Sequence, residues 1–153
     1  ITRLCVLFFF LLIKIKKEKT RRTMAFYTYA QCRELLEKLR TPSPEFECPD
    51  PRSFLYAEKV ISWLEKNDFT LIPIPCHGTD GGICFQWSSL HGDERSMFLT
   101  IWYDSVQLHI FHKTLKHEHL NDYEMDGDGG DNIPPSVRIY IATELTSNCG
   151  YCV

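Results

Sequence analysis

The stretch ICFQWSSLHGDERSMFLTIWYDSVQLHIFH, residues 83–112, decides the fold. Apolar side chains recur at every second position: Ile83, Phe85 and Trp87, then Met97, Leu99 and Ile101, then Val106, Leu108 and Ile110. A period of two is the spacing of a strand with one buried face, because successive side chains of an extended chain point to opposite sides. The interruptions, His91-Gly92-Asp93-Glu94 and Asp104-Ser105, are too short for a crossover between parallel strands. Strands are therefore expected at Ile83–Ser88, Ser96–Tyr103 and Val106–His112, joined as an antiparallel meander.

Working outward, Phe69–Ile74 reads as a further strand, connected through the turn Gly78-Thr79-Asp80-Gly81-Gly82. Val137–Thr143, with Val137, Ile139 and Ile141 on alternate positions, reads as the fifth. Lys113–Pro135 is polar and expected to be a long loop. Upstream, Thr28 and Gln31 form a capping-box pattern opening a helix that runs to about Arg40. Four prolines between Thr41 and Pro51 enforce a loop. Asp50-Pro51 then starts a second helix with an N-cap and a first-turn proline. Its Phe54, Ala57, Val60, Ile61 and Leu64 make one apolar stripe, closed by Asn67. The expected fold is α+β: two N-terminal helices packed on one antiparallel, mostly meander sheet of about five strands.

With 153 residues, 44% hydrophobic and 24% charged, the chain suits one globular domain. Residues 1–23 differ from the rest. Their apolar run, Leu4–Ile13, falls well short of the ~20 residues of a membrane span. Lys14, Lys16, Lys17 and Lys19 follow the run instead of preceding it, the reverse of a secretory signal. The expectation is a translated leader or disordered tail outside the fold, with the protein proper starting at Met24; a short membrane-surface tail is the alternative. The domain is then 24–143, followed by a C-terminal tail, 144–153. The first 23 residues hold seven of the 17 basic side chains and one of the 20 acidic ones, leaving ten against 19 and a net charge of −9 beyond them. Nucleic-acid affinity rests on basic side chains neutralising phosphates, so this balance argues against DNA or RNA and suits a basic protein partner.

The hairpin Asp80-Gly81-Gly82-Ile83-Cys84-Phe85-Gln86-Trp87, set in the stretch 42–112 with its proline-rich loop, helix, Pro73 and Pro75, resembles a loose group of small bacterial proteins of unknown function that share a DGG-apolar-x-apolar-x-Trp hairpin. The resemblance covers under half of the chain and departs at Gln86, where an acidic residue is the pattern. It implies a bacterial origin and this fold, and no mechanism.

Cys149-Gly150-Tyr151-Cys152 is the most chemical-looking motif, because a two-residue spacer lets two thiolates reach one metal. Zinc needs two further ligands, for which His117 and His119, or Cys76 and His77, are available, although neither set has an established ligand spacing; free thiols on a tail are the plainer reading. His109 and His112 differ by three positions and so point to opposite faces of a strand. Asp122, Glu124 and Asp126 suggest a calcium loop, but Gly129 and Ile133 occupy positions that need an apolar residue and a bidentate Glu. Gly78–Gly82 lacks the Lys-Ser/Thr of a phosphate loop. No nucleophile, base and orienting residue can be assigned as a set, so the sequence leans away from an enzyme. Without a secretion signal, the cysteines are expected reduced in a cytoplasm.

The function expected from these features is a small acidic bacterial interaction module, an accessory or antitoxin-like partner protein, engaging a protein partner or a second copy and neither nucleic acid nor membrane. Trp102, Tyr140, Phe111 and Trp63, which fall off the expected core faces, are its candidate contacts. The alternative is a zinc-binding protein built on Cys149, Cys152, His117 and His119.

Overall fold

Helix α1 spans Tyr29–Lys38 and helix α2 spans Pro51–Lys66. Strands β1 (Ile74–His77), β2 (Ile83–Leu90), β3 (Arg95–Ile101), β4 (Ser105–His112) and β5 (Glu118–Glu124) follow, and helix α3 (Pro135–Cys149) comes last. These elements come from a computed structural model that describes residues 27–90, 95–112, 118–124 and 134–149, with side chains described except at 89, 112, 118–124 and 147–149. The strands form one antiparallel sheet in chain order, β1-β2-β3-β4-β5. The protein is thus α+β with an antiparallel meander.

The helix starts follow from their caps. The Gln31 amide N–H donates to Thr28 Oγ1 at 3.2 Å, and the Thr28 N–H donates to Gln31 Oε1 at 2.8 Å. At α2, the Arg52 N–H donates to Asp50 Oδ1 at 2.8 Å, and Pro51 fills a position whose N–H would have no partner. The stripe Phe54, Ala57, Val60, Ile61 and Leu64 is buried. It packs on Ile83, Phe85, Trp87, Met97, Leu99, Ile101, Val106, Leu108 and Ile110, which share one sheet face. Each such side chain contributes roughly 1.5–3 kcal/mol on leaving water.

Three expectations are corrected. The segment 69–73 is not strand; β1 begins only at Ile74. Pro73 has no N–H to give a ladder, and side chains hold this segment instead. The Tyr29 hydroxyl donates to the Phe69 carbonyl, the Trp87 indole to the Leu71 carbonyl at 3.0 Å, and Tyr27 and Cys32 to the Pro73 carbonyl at 3.1 and 3.3 Å. The expected polar loop 113–135 contains β5, an edge strand paired with β4 alone. An edge strand needs no apolar alternation, so its sequence, EHLNDYE, gives little strand signal.

The largest correction is Val137–Thr143, which is helix and not strand. Val137, Ile141 and Leu145 are buried, at i, i+4 and i+8, whereas Ile139 is 67% exposed. Pro135 stands in the first turn, and the Pro134 carbonyl accepts from the Val137 and Arg138 N–H groups at 3.0 and 3.2 Å. β-Branched residues cost a helix little when their stripe is buried, and packing overrides propensity here. The Thr143 hydroxyl turns back to the Ile139 carbonyl at 2.8 Å. The helix runs past the expected boundary at 143, and Leu145 joins the core. Arg95 of β3 bonds Glu144 at 3.2 Å, which ties α3 to the sheet. No helix among the described residues is long and apolar enough to cross a membrane.

Candidate functional site

Strand alternation gives the sheet a second face, and the buried core of the three described helices lies on the first one. Reading across the register, the second face carries the row Ile74, Gln86, Phe98 and His109 and the row Cys76, Cys84, Thr100 and Gln107. Ser96 and Phe111 continue it at one end. Apart from the imidazole of His109, no side chain at these positions of β1–β4 is ionisable as a carboxylate, ammonium or guanidinium. The face is half-buried to buried, with Phe111 exposed at one end, and it is half-apolar where a fully solvated face would alternate to charged residues.

Its two ends differ. At one, the β1–β2 turn Gly78–Gly82 lies against Thr100 and Trp102. A Cβ on Gly82 would stand 2.9 Å from both Thr100 Cγ2 and Trp102 Nε1, and one on Gly78 would meet Thr100 Cγ2 at 2.9 Å. Only glycine permits this approach. The Trp102 indole donates to the Thr79 carbonyl at 2.9 Å, and Asp80 and Gly81 turn the chain with positive φ. At the other end Phe111 is 37% exposed.

The centre is drier. Cys76, Cys84 and Gln86 are buried yet stand apart from the core cluster. Gln86 Nε2 donates to Cys76 Sγ at 2.9 Å, and the Cys84 thiol donates weakly to the Phe85 carbonyl at 3.9 Å. Hydrogen bonds from Cys76, opposed by burial and joined by those from Thr100 and Gln86, draw the Cys84 thiol below the ordinary thiol range. The rings of Phe98 and His109 lie 6.0 Å apart at 44°, and His109 Nε2 is buried without a hydrogen-bond partner.

Of the four candidate contacts, Trp102 and Phe111 share this face. They lie at opposite ends of the β3–β4 pair, about 20 Å apart at a strand rise of roughly 3.4 Å per residue. Trp63 and Tyr140 belong to the helical layer: both pack half-buried on the core, and Trp63 lies 5.5 Å from the Phe69 ring. Cys149 is the last residue of α3 and His119 lies in β5, but the side chains of both, and all of His117 and Cys152, lie outside the described residues. Among the described residues no group of three or more His, Cys, Asp or Glu side chains could hold a metal ion.

The pair Cys76 and Cys84 escapes a reading that ends the first strand at Ile74. The five-residue turn Gly78–Gly82 was the available signal, because it sets His77 opposite Ile83 and therefore Cys76 opposite Cys84. Compared with known proteins, the chain matches no family model, no curated protein sequence and no solved structure.

Proposed function

We propose that the chain is a binding module without catalytic activity that takes a basic, partly apolar polypeptide on the sheet face opposite the described helical core. The observation that carries this reading is the half-apolar character of that face, which has no carboxylate, ammonium or guanidinium across four strands, lies opposite the described helical core and ends in the exposed Phe111. Partner chemistry follows from the rim. The register sets Glu118, Asp122 and Glu124 of β5 opposite Phe111, Gln107 and Ser105, so acidic residues border the neutral centre. Together with the net charge of −9 over residues 24–153, this favours lysine and arginine around an apolar strip on the partner.

Edge-to-edge pairing with a second copy is the less favourable mode. Strand β1 is four residues long, contains Pro75 and is covered by α1. Two β5 edges would bring like charges together. The test is native mass spectrometry of the tagged chain purified from its source cells, alone and with Gln107→Lys and Phe111→Lys combined. The double variant is expected to lose a stoichiometric partner that Leu55→Lys, on the exposed side of α2, retains. A partner lost by Leu55→Lys and kept by the double variant, a second copy of the chain as the partner, or a bare monomer from both, would overturn the reading.

A further inference from the structure

Cys76 and Cys84 face each other directly across β1 and β2, on the side of the sheet opposite the helical core. The Gly78 N–H donates to the Gly82 carbonyl at 2.8 Å, which marks the hydrogen-bonded pair nearest the turn. Bonded and non-bonded pairs alternate along an antiparallel ladder. His77 and Ile83 are then a non-bonded pair, Cys76 and Cys84 a bonded one, and Pro75, which has no N–H, falls correctly on the next non-bonded position. The Cα atoms of a bonded pair lie about 5.5 Å apart, inside the roughly 4.4–6.8 Å that a disulfide spans.

The two thiols are not equivalent. Cys84 sits in the middle of a three-strand row with Cys76 on one side and Thr100 on the other, and Gln86 follows it on the same strand face. All three neighbours offer hydrogen bonds that favour its thiolate. Cys76 lies on the edge-side strand and accepts from Gln86 Nε2 at 2.9 Å. Neither thiol is disulfide-bonded.

We infer that Cys76 and Cys84 form a peroxide-reactive dithiol site, in which Cys84 is the attacking sulfur and Cys76 the resolving one. The site stands independently of the binding role proposed above. In the first step the Cys84 thiolate attacks one oxygen of hydrogen peroxide. The O–O bond breaks, the sulfur becomes a sulfenic acid, and the departing hydroxide leaves as water with the proton given up by the Cys84 thiol. In the second step the Cys76 sulfur displaces the sulfenic hydroxyl, which leaves as a second water with the Cys76 proton, and the S–S bond forms. Two electrons pass from the sulfurs to the peroxide. Facing Cβ atoms at a bonded pair stand about 5.5 Å apart against roughly 3.8 Å in a relaxed disulfide, so the bond pulls the strands together and is readily reduced again.

The sequence supplies a clean readout, because the tryptic peptide 67–95 contains Cys76 and Cys84 and no other cysteine. The reduced full-length chain is treated with hydrogen peroxide, alkylated and digested. The expected result is a peptide lighter by two hydrogen atoms that resists alkylation and recovers both thiols after mild reduction. Cys76→Ser is expected to leave a sulfenic acid on Cys84 that a dimedone probe captures, whereas Cys84→Ser leaves Cys76 unlabelled. A peptide 67–95 that stays fully alkylatable while the exposed Cys48 is oxidised overturns the site, and the wild-type chain alone decides this. Dimedone labelling of Cys76 in Cys84→Ser, at a rate equal to that of Cys84 in the converse variant, overturns the assignment of roles.

Discussion

The two faces of the sheet are built from the same strands and differ in almost every other respect. One face carries Ile83, Phe85, Met97, Leu99, Ile101 and Leu108, all fully buried beneath helices. The other carries Cys76, Cys84, Gln86, Phe98, Thr100, Gln107 and His109, side chains without a carboxylate, ammonium or guanidinium that none of the described helical core covers. The first face holds the fold together. The second is buried at Cys76, Cys84 and Gln86 and half-buried at Phe98, Thr100, Gln107 and His109, without joining the core cluster. The contrast places the packed core on one side of the sheet and the proposed contact surface on the other.

Substitutions that respect this division should separate cleanly. The largest effect belongs to Phe85→Ala, which opens a cavity at the centre of the covered face and is expected to cost about 3–5 kcal/mol in urea unfolding. A loss below ~1 kcal/mol would mean that the helices do not pack where the core cluster places them. Next comes the pair Ile141→Ala and Ile139→Ala. As helix, the first loses roughly 2–5 kcal/mol and the second stays within about 0.5 kcal/mol. Equal losses would restore the strand reading of 137–143.

At the turn, Gly82→Ala is expected to cost about 1–3 kcal/mol, because its Cβ meets the Thr100 methyl and the Trp102 indole. Retention of full stability would show that Trp102 swings aside. A smaller effect is pH-dependent. His77 stacks on Phe46 at 4.9 Å, and burial lowers its pKa from 6.5. The unfolded chain therefore binds the proton more readily than the folded one, so this contribution is complete above about pH 6.5 and is lost as pH falls toward the folded value. The urea midpoint should fall less between about pH 7.5 and 5 in His77→Phe than in the parent chain. Equal slopes would remove His77 as a source of acid sensitivity. Smallest of all, Gln107→Lys on the face opposite the described helical core should change stability by no more than about 0.5 kcal/mol.

The sequence carries the core face more plainly than the opposite one. Alternation in 83–112 and the stripe on α2 report burial directly, and the caps Thr28, Asp50 and Asn67 all stand where they were read. Elements whose signal is weak or double were misread. Val137, Ile139 and Ile141 satisfy a period of two over five residues, and only Leu145, one turn further, reveals the helical stripe. The sequence of β5, EHLNDYE, has no apolar alternation to read. The facing of Cys76 and Cys84 depends on a register that the turn sets and no periodicity encodes. Trp102 and Phe111 were placed off the core by parity, but parity cannot tell a sheet face from a helical layer, which is where Trp63 and Tyr140 lie.

Carbene footprinting of the chain, alone and in the complex isolated from its source cells, asks directly which face makes the contact. Phe98, Phe111 and Gln107 should lose labelling on complex formation, while Leu55 and Ile139, exposed on the helical side, keep theirs. Protection of Leu55 and Ile139 with unchanged labelling of Phe98 and Phe111 would contradict the proposed contact on the face opposite the described helical core.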